Sequence, residues 1–399
     1  MTALLHDGRT REERPVLRNR QVHAVAACYF VASFAALGLP PYLTEILPSL
    51  GDRGARWAGL LYIVPTVFGA LGAPLWGRLA DRFGRKRLLL RAQLGLALSF
   101  LLAGLADSLP AFTAALVLQG ILGGTFAASN GYLAAALDGR RLSWALTLMQ
   151  GSARLALVAA PVLVGGLTPW LSPHRQYALL AVLPLAAALM LAALPEPPRT
   201  AEPAAAAAPA EAPPPGPLRT LYALEFAFVL ATVISYPYLL TLVGERLPGL
   251  GPSAGGALFA LPHACYLLLA KPVHAAVAHR PHLGAVTGFA CVAAALAGHW
   301  GASTVASFVA LRLLLGAGMT LGLVSLSALA AEASRGRGPG RLFGSLEFIS
   351  KAGAVVAGAA AAAATGLWGP AAPVVAGSAV AALTAVVSTT TLLRTRWSR

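Results

Sequence analysis

The chain has 399 residues, of which 57% are hydrophobic and only 11% are charged. A soluble globular domain carries about 25% charged residues, so this composition excludes an ordinary soluble protein and points to a lipid environment. The formal net charge is +15, but the basic residues lie mainly on one side of the predicted membrane segments described below. That placement argues against a nucleic-acid partner.

Apolar windows of about 20 residues, the length that crosses a ~30 Å hydrocarbon core as a helix, recur along the whole chain. Helices are expected because backbone groups in lipid must satisfy their own hydrogen bonds, and the alternation typical of barrel strands is absent. The sequence therefore predicts an all-α integral membrane protein. The predicted spans, about twelve in number, are 22–43, 57–76, 88–107, 111–137, 143–168, 177–194, 220–243, 254–273, 283–300, 303–331, 342–366 and 371–393.

The loop between predicted spans two and three is strongly basic and reads GRLADRFGRKRLLL at 77–90. If the N-terminus is cytoplasmic, most other basic residues fall on the same side, at 9–20, 78–91, 140–141, 199–219, 280, 335–341 and 394–399. The opposite loops would hold only Arg53, Arg56, Arg175 and Arg246. This asymmetry follows the positive-inside rule and predicts that both termini are cytoplasmic. Residues 1–20 lack the apolar core of a cleavable signal peptide, so none is expected.

Residues 195–218 hold nine prolines and eight alanines and predict an extended cytoplasmic linker. It separates a predicted N-terminal bundle, 1–194, from a predicted C-terminal bundle, 219–399. The two halves also match in order: PYL at 41–43 returns at 237–239, LLYIVPT at 60–66 aligns with ALFALPH at 257–263, and QGSAR at 150–154 aligns with FGSLE at 343–347. Near-constant spacing predicts two bundles related by an axis along the membrane normal; chance matching in a biased composition is the alternative.

The loop motif GRLADRFGRKR closely resembles the G-x-L-a-D-r-x-G-r-k signature of the major facilitator superfamily. The resemblance implies two pseudo-symmetric six-helix bundles that carry a small molecule by alternating access. It also implies a latch in which the Asp81 carboxylate caps the start of span eleven near Gly340–Leu342; a purely topological loop is the alternative. The latch residues are Gly77, Asp81, Arg82, Gly84 and Arg85, and Leu79 and Lys86 complete the likeness.

Within the superfamily, the chain is most similar to the drug–proton antiporter branch. Its fifth span departs from that branch, because it reads APVLVGG at 160–166 in place of G-P-x-x-G-G. The resemblance implies a secondary transporter that exchanges a cytoplasmic substrate for external protons. The segments GGTFAASNGYLAA at 123–135 and SARLAL at 152–157 resemble exporters of carboxylate siderophores. A multidrug exporter, a proton-driven importer and a non-transporting receptor are the alternatives.

Charged residues inside predicted spans are costly and therefore functional candidates. Arg154 in span five and Glu347 in span eleven are repeat equivalents, and Lys351 follows Glu347 by one helical turn. Arg312 lies in span ten, where its counterpart in span four is Gln119. The three cations favour an anionic or zwitterionic substrate, with Glu347 as the proton carrier. The alternatives are a structural ion pair and a proton carried by Glu45 or Glu225.

The resemblance also implies that spans one, four, seven and ten line a central cavity. The lining residues it suggests are Asn130, Tyr132, Tyr236 and Tyr238. Ordinary interhelical packing is the alternative for each of them. Pro40, Pro41 and Pro237 break their helices near the outer end, where bending could gate the path.

The sequence predicts no cofactor, no metal site and no enzyme activity. The histidines at 274, 279 and 282 lack a metal-ligand pattern, and the chain carries no nucleotide-binding loop or hydrolase motif. Cys28, Cys265 and Cys291 fall within spans and are expected to be packing residues. The expected partners are a small-molecule substrate, protons and the lipid bilayer. The expected state is a monomer in the bacterial inner membrane.

Overall fold

The structure is a computed structural model that describes residues 17–137, 139–196, 216–277, 279–333 and 339–397. All regular elements of these residues are helical, which confirms the all-α prediction. In the first half they are α1 (Asn19–Gly38), a 3-10 turn (Pro40–Tyr42), α2 (Leu43–Ile46), a 3-10 turn (Leu47–Leu50), α3 (Ala58–Phe83), α4 (Arg85–Leu105), α5 (Leu109–Leu122), α6 (Thr125–Ala136), α7 (Gly139–Leu167), α8 (Pro173–Leu180) and α9 (Val182–Ala192). In the second half they are α10 (Gly216–Val233), a 3-10 turn (Tyr236–Tyr238), α11 (Leu239–Arg246), α12 (Pro252–Val277), α13 (Pro281–Gly301), α14 (Val305–Ala333), α15 (Pro339–Trp368) and α16 (Ala372–Trp397).

Each of the predicted spans overlaps one helix or one broken pair of helices. In the described part of the chain, ten helical stretches are long and apolar enough to cross a membrane, and Ala58–Gly72 and Leu109–Leu122 are shorter apolar helices. Helix α10 begins at Gly216, inside the predicted linker 195–218. Most of that linker lies outside the described residues, so the division into 1–194 and 219–399 stays a prediction.

Several predicted spans are broken within the apolar region. Span one breaks after α1 at Pro40 and Pro41, because proline lacks the N–H that continues the helix. Span four breaks at Gly123–Gly124, between α5 and α6. Gly124 has φ +83°, a left-handed conformation that glycine adopts without steric cost. Non-helical backbone at this depth is tolerated only where it is buried in protein or lines a cavity.

The helix contacts repeat between the two halves. Helix α1 contacts α7 and α3 contacts α5 in the first half, as α10 contacts α15 and α12 contacts α14 in the second. The halves meet where α7 packs on α12 and α3 packs on α15. Glycines allow close approach there: a Cβ on Gly59 would lie 2.6 Å from the Gly358 carbonyl oxygen. Small residues at such crossings are typical of membrane helices.

Large apolar side chains are exposed on the outside of the bundle. Leu71, Leu189, Leu268 and Leu383 are each at least 66% exposed, which is unfavourable in water and favourable against lipid. One buried core cluster joins both halves, because it includes Leu39 and Tyr42 together with Tyr238 and Ala361. We call the end of the molecule that holds residues 39–57 and 234–252 the distal end; it lies opposite the start of α1.

Candidate functional site

A cavity of about 590 Å³ lies mainly within the first half of the molecule. Its walls come from the end of α1, the length of α3, the start of α4, and the helices on both sides of the span-four break. The second half contributes Phe259 of α12 and Lys351 of α15. The break itself lines the cavity through Gly123, Gly124 and Thr125. This volume suits a small organic molecule.

The charged residues among the described lining of the cavity are all basic. Arg85, Arg91 and Lys351 line it, and none of the described lining residues is Asp or Glu. Lys351 is itself 3.3 Å from the Glu347 carboxylate, and both side chains are almost half exposed. The cavity is therefore electropositive at its α4 wall and closer to neutral beside α15.

Three of the charged residues singled out from the sequence lie near one another, and Arg154 shares the neighbour Tyr29 with one of them. Glu347 pairs with Lys351 on α15. Glu225 on α10 hydrogen-bonds Ser350 and interacts electrostatically with Glu347. The Arg154 guanidinium lies 5.0 Å from the centre of the Tyr266 ring on α12. Tyr29 of α1 experiences the charges of both Glu347 and Arg154, so the group links both halves.

Arg312 is placed differently, buried in the second half with only 1% of its surface exposed. Its Nε donates to the Leu258 carbonyl at 2.8 Å, and one terminal nitrogen donates to the Phe259 carbonyl at 2.9 Å. Pro262 has no N–H to give Leu258 four residues earlier in α12. Arg312 therefore donates its hydrogen bonds to backbone carbonyls next to a proline. It is not among the lining residues of the cavity.

The remaining lining candidates divide between the cavity and the protein interior. Gln119 lines the cavity. The Tyr132 hydroxyl is bound to the Pro195 carbonyl at 2.8 Å, and the Asn130 Oδ1 is buried without a partner. Tyr236 packs its ring against Phe259 and His263. Glu45 is exposed on α2 at the distal end, where α2 contacts the 3-10 turn that holds Tyr236.

The end of α5 is closed by two side chains that sequence reasoning missed. The Trp76 indole N–H donates to the Ile121 carbonyl at 2.7 Å. Arg91 donates to the Leu122 carbonyl at 2.5 Å, and its guanidinium lies 3.2 Å from the centre of the Trp76 ring. The Arg91 cation is stabilised here by the face of the aromatic ring and by the negative end of the helix dipole. The adjacent glycines at 123–124 were the sequence signal for this break.

The basic loop makes its described contacts within the first half. Arg85 donates to the Gly131 carbonyl at 3.1 Å, and Lys86 donates to the Ala192 carbonyl at 2.8 Å. Gly84 turns the chain with φ +100°. Arg82 is exposed beside the Phe83 ring. Gly77 lies within α3. The side chains of Asp81 and of the residues near Gly340–Leu342 are outside what the structure describes, so the latch stays a prediction.

A different carboxylate sits at the start of α4. The Glu196 Oε1 accepts from the Lys86 backbone N–H at 3.3 Å. A carboxylate here satisfies an orphan helix N–H and opposes the helix dipole. Sequence reasoning assigned Glu196 to the linker and missed this contact.

Two repeat-equivalent tyrosines tie the halves together at the distal end. The Tyr42 hydroxyl of the first half donates to the Pro161 carbonyl at 2.5 Å and lies 3.4 Å from the Pro252 carbonyl of the second half. The Tyr238 hydroxyl of the second half donates to the Arg56 carbonyl at 3.2 Å and accepts from the Gly59 N–H at 3.1 Å. Both tyrosines are buried. The repeated PYL tripeptide was the signal for this pair.

Comparison with known proteins places the chain in a family. The family model of the Major Facilitator Superfamily matches residues 25–273, more than half of the chain. The chain belongs to this superfamily. The resemblance and the predicted fold are therefore confirmed, and the chain is a multi-pass membrane protein. The superfamily comprises membrane transporters, so the expected class, transporter and not enzyme, is confirmed as well.

The fold also matches a solved structure of the superfamily. The crystal structure of the human organic anion transporter MFSD10 (TETRAN) superposes with a TM-score of 0.67 at 19% identity, over 93% of this chain and 100% of that chain. At this identity the match concerns the fold alone.

Curated relatives match over a shorter stretch. The multidrug resistance protein MdtG of Serratia proteamaculans is 34% identical over 169 residues, which is 41% of this chain and 39% of that protein. MdtG of Enterobacter lignolyticus is 38% identical over 144 residues, 35% of this chain and 34% of that protein. The match thus spans well under half the length of these relatives.

Proposed function

We propose that the protein is a proton-coupled exporter of a small anionic or zwitterionic organic molecule, a carboxylate siderophore being the narrower form of this hypothesis. The observation that carries the proposal is the cavity of about 590 Å³, whose described lining includes Arg85, Arg91 and Lys351 and no carboxylate. Guanidinium and ammonium groups in a cavity of low dielectric constant attract carboxylates and repel cations. Proton exchange is assigned to Glu347, which pairs with the cavity residue Lys351, and to Glu225, which interacts electrostatically with Glu347.

Alternating access provides the route in this proposal. The two halves rock about the cavity, as in other transporters built from repeated bundles. The described contacts between halves at the distal end, made by Tyr42 and Tyr238, correspond to a state closed on that side. The arginine-rich loops support a cytoplasmic position for the opposite end, in a bacterial cell.

A multidrug exporter of lipophilic compounds is the second candidate. It is favoured by the similarity to the multidrug resistance proteins over part of the chain. The aromatic rings of Tyr62, Trp76 and Phe259 on the cavity wall suit it as well. The two candidates differ in the charge of the molecule that moves.

Proton efflux from acid-loaded everted vesicles, followed with a pH-sensitive dye, distinguishes them. We expect citrate, used as a tricarboxylate probe, to release the dye's quenching in the wild type. Lys351→Gln should raise the citrate concentration for half-maximal response roughly tenfold, because a cation on the cavity wall is lost. Glu347→Gln should weaken proton release if that carboxylate carries the proton.

Lys271→Gln is the matched control, because Lys271 is an exposed lysine of α12 outside the cavity lining. It should behave like the wild type. A response to the lipophilic cation tetraphenylphosphonium, with none to citrate, contradicts the anionic substrate and favours the multidrug candidate. A citrate response unchanged by Lys351→Gln contradicts the assigned role of the cavity charge.

A further inference from the structure

The break in span four leaves the start of α6 without a side-chain cap at the cavity wall. Gly124 is the N-cap of the 12-residue helix α6 and provides no side-chain cap for its first N–H groups. These N–H groups carry the positive end of the helix dipole. Gly124 and Thr125 line the cavity, so the N-terminus of α6 faces the same space.

Gln119 supplies an independent observation at the same wall. Its side chain is 8% exposed, and its Oε1 is buried without a hydrogen-bond partner. Gln119 lines the cavity together with Gly123 and Gly124. A buried, unpaired amide costs free energy in an apolar environment. The same amide carries an NH2 group, which is a hydrogen-bond donor.

At the equivalent position of the repeat, a longer side chain finds internal partners for two of its three nitrogens, while one terminal nitrogen of Arg312 is buried without a partner. Arg312, the counterpart of Gln119, donates hydrogen bonds to the carbonyls of Leu258 and Phe259. The shorter Gln119 has no such partner for its oxygen. Arg91 is also on the cavity wall, and its Nε is likewise buried without a hydrogen-bond partner.

The two helix ends at the break differ in how their backbone groups are capped. The carbonyls that end α5 are covered by Trp76 and Arg91. The N–H groups that begin α6 receive no side-chain cap. Donors left open beside an open cavity, while the acceptors next to them are closed, suit a ligand that brings oxygen acceptors of its own.

We propose that the Gly123–Gly124 break forms a carboxylate-binding subsite, with the N-terminus of α6 and the Gln119 amide as its donors. The inference deepens the proposed function and rests on it for the role of the subsite in transport. It assigns the substrate carboxylate to the first half of the molecule, next to Arg91 and away from Arg312.

Calorimetric titration of the purified full-length protein with citrate tests the subsite directly. We expect the wild type to bind citrate and not its neutral triester, triethyl citrate. Gln119→Leu should weaken citrate binding roughly tenfold, the value of one hydrogen bond to a charged group. Gln119→Glu should abolish binding, because it places a negative charge where the carboxylate would lie. Thermal unfolding curves verify that each variant is folded, and Gln119→Leu carries the test if Gln119→Glu does not fold.

Gln150→Glu is the matched control: Gln150 is exposed on α7 and outside the cavity lining, so the same change there should leave citrate affinity unaltered.

The subsite is overturned if the wild type does not bind citrate, if triethyl citrate binds as tightly, or if both Gln119 variants bind like the wild type. If citrate still drives proton efflux from vesicles that carry Gln119→Glu, the subsite hypothesis is contradicted and the proposed function is not. Gln119-dependent citrate binding without any citrate-driven efflux supports the subsite and sinks the transport proposal.

Discussion

At the scale of single residues, Arg312 is a buried charge whose partners are backbone carbonyls rather than a carboxylate. Its sequence context suggested a cation facing the substrate, because a charge within an apolar span is expected to be functional. The structure offers a local physical reason for the residue: Pro262 leaves the Leu258 carbonyl without its helical donor, and the Arg312 Nε supplies one. We therefore expect the residue to stabilise α12.

We expect Arg312→Met to lower the free energy of unfolding by about 3 kcal/mol, since two hydrogen bonds to a charged group are lost and a buried carbonyl is left unpaired. Pro262→Ala restores an N–H for that carbonyl. The double substitution should therefore be more stable than the sum of the single effects, by about 1 kcal/mol or more. Thermal and denaturant unfolding in detergent measures all four proteins. Strict additivity would show that Arg312 and Pro262 are not coupled, and an effect on citrate affinity without one on stability would favour a substrate role.

At the scale of elements, the breaks in spans one, four and seven decide where the cavity and the contacts between halves lie. Span four reads as one apolar segment, 111–137, yet its two helices meet at glycines on the cavity wall. A break turns a helix interior, where every backbone group is paired, into a helix end with free N–H groups. The left-handed Gly124 is the residue that makes this turn possible.

Gly124→Ala and Gly151→Ala form a matched pair that tests this conformation. A Cβ meets no atom within 4 Å at either position, but Gly124 has φ +83° and Gly151 lies within the helix α7. We expect Gly124→Ala to destabilise the protein by roughly 1–2 kcal/mol, the cost of a left-handed residue with a side chain. Gly151→Ala should stabilise it by roughly 0.5–1 kcal/mol, because alanine favours a helix interior. The melting temperatures of the two variants should move in opposite directions; a rise for Gly124→Ala would mean that the break is not left-handed there.

At the scale of the whole molecule, two repeat-equivalent tyrosines, one from each half, join the halves at the distal end. Tyr42 and Tyr238 occupy equivalent positions in the repeat, and each hydroxyl reaches backbone atoms of the opposite half. Buried hydrogen bonds of this kind are modest individually, at roughly 1 kcal/mol. Their loss is enough to shift a balance between two states of a transporter that differ by a few kcal/mol.

Tyr42→Phe and Tyr238→Phe should each favour opening of the distal end. Spin labels on Arg53→Cys and Glu245→Cys, in a background without the native cysteines, report the separation of exposed distal positions in the two halves. We expect longer distances to be populated in both tyrosine variants, and more so in the double variant. Tyr222→Phe on α10, away from these contacts, is the control. An unchanged distance distribution in the double variant would show that other contacts hold the distal end closed.

Much of the architecture was available from the sequence. The apolar windows predicted a helical membrane protein, because hydrocarbon thickness and backbone hydrogen bonding leave few alternatives. The matched segments predicted two repeated halves, and the resemblance of the basic loop to the family signature implied the major facilitator type. The charges within spans marked Arg154, Glu347 and Lys351; in the structure Glu347 pairs with Lys351 on α15, and Arg154 of the first half lies against Tyr266 of the second. Their roles in transport remain proposals.

The tertiary structure alone decided which polar residues have partners and which face open space. Whether Arg312 meets a substrate or a carbonyl depends on the proline of a different helix, and whether Gln119 is satisfied depends on how far its side chain reaches. Glu196, Trp76 and Arg91 close helix ends that lie far from them in the sequence. Hydrophobicity is a property of each segment and can be read from it, whereas hydrogen-bond satisfaction is a property of pairs, so it is fixed only when the helices pack.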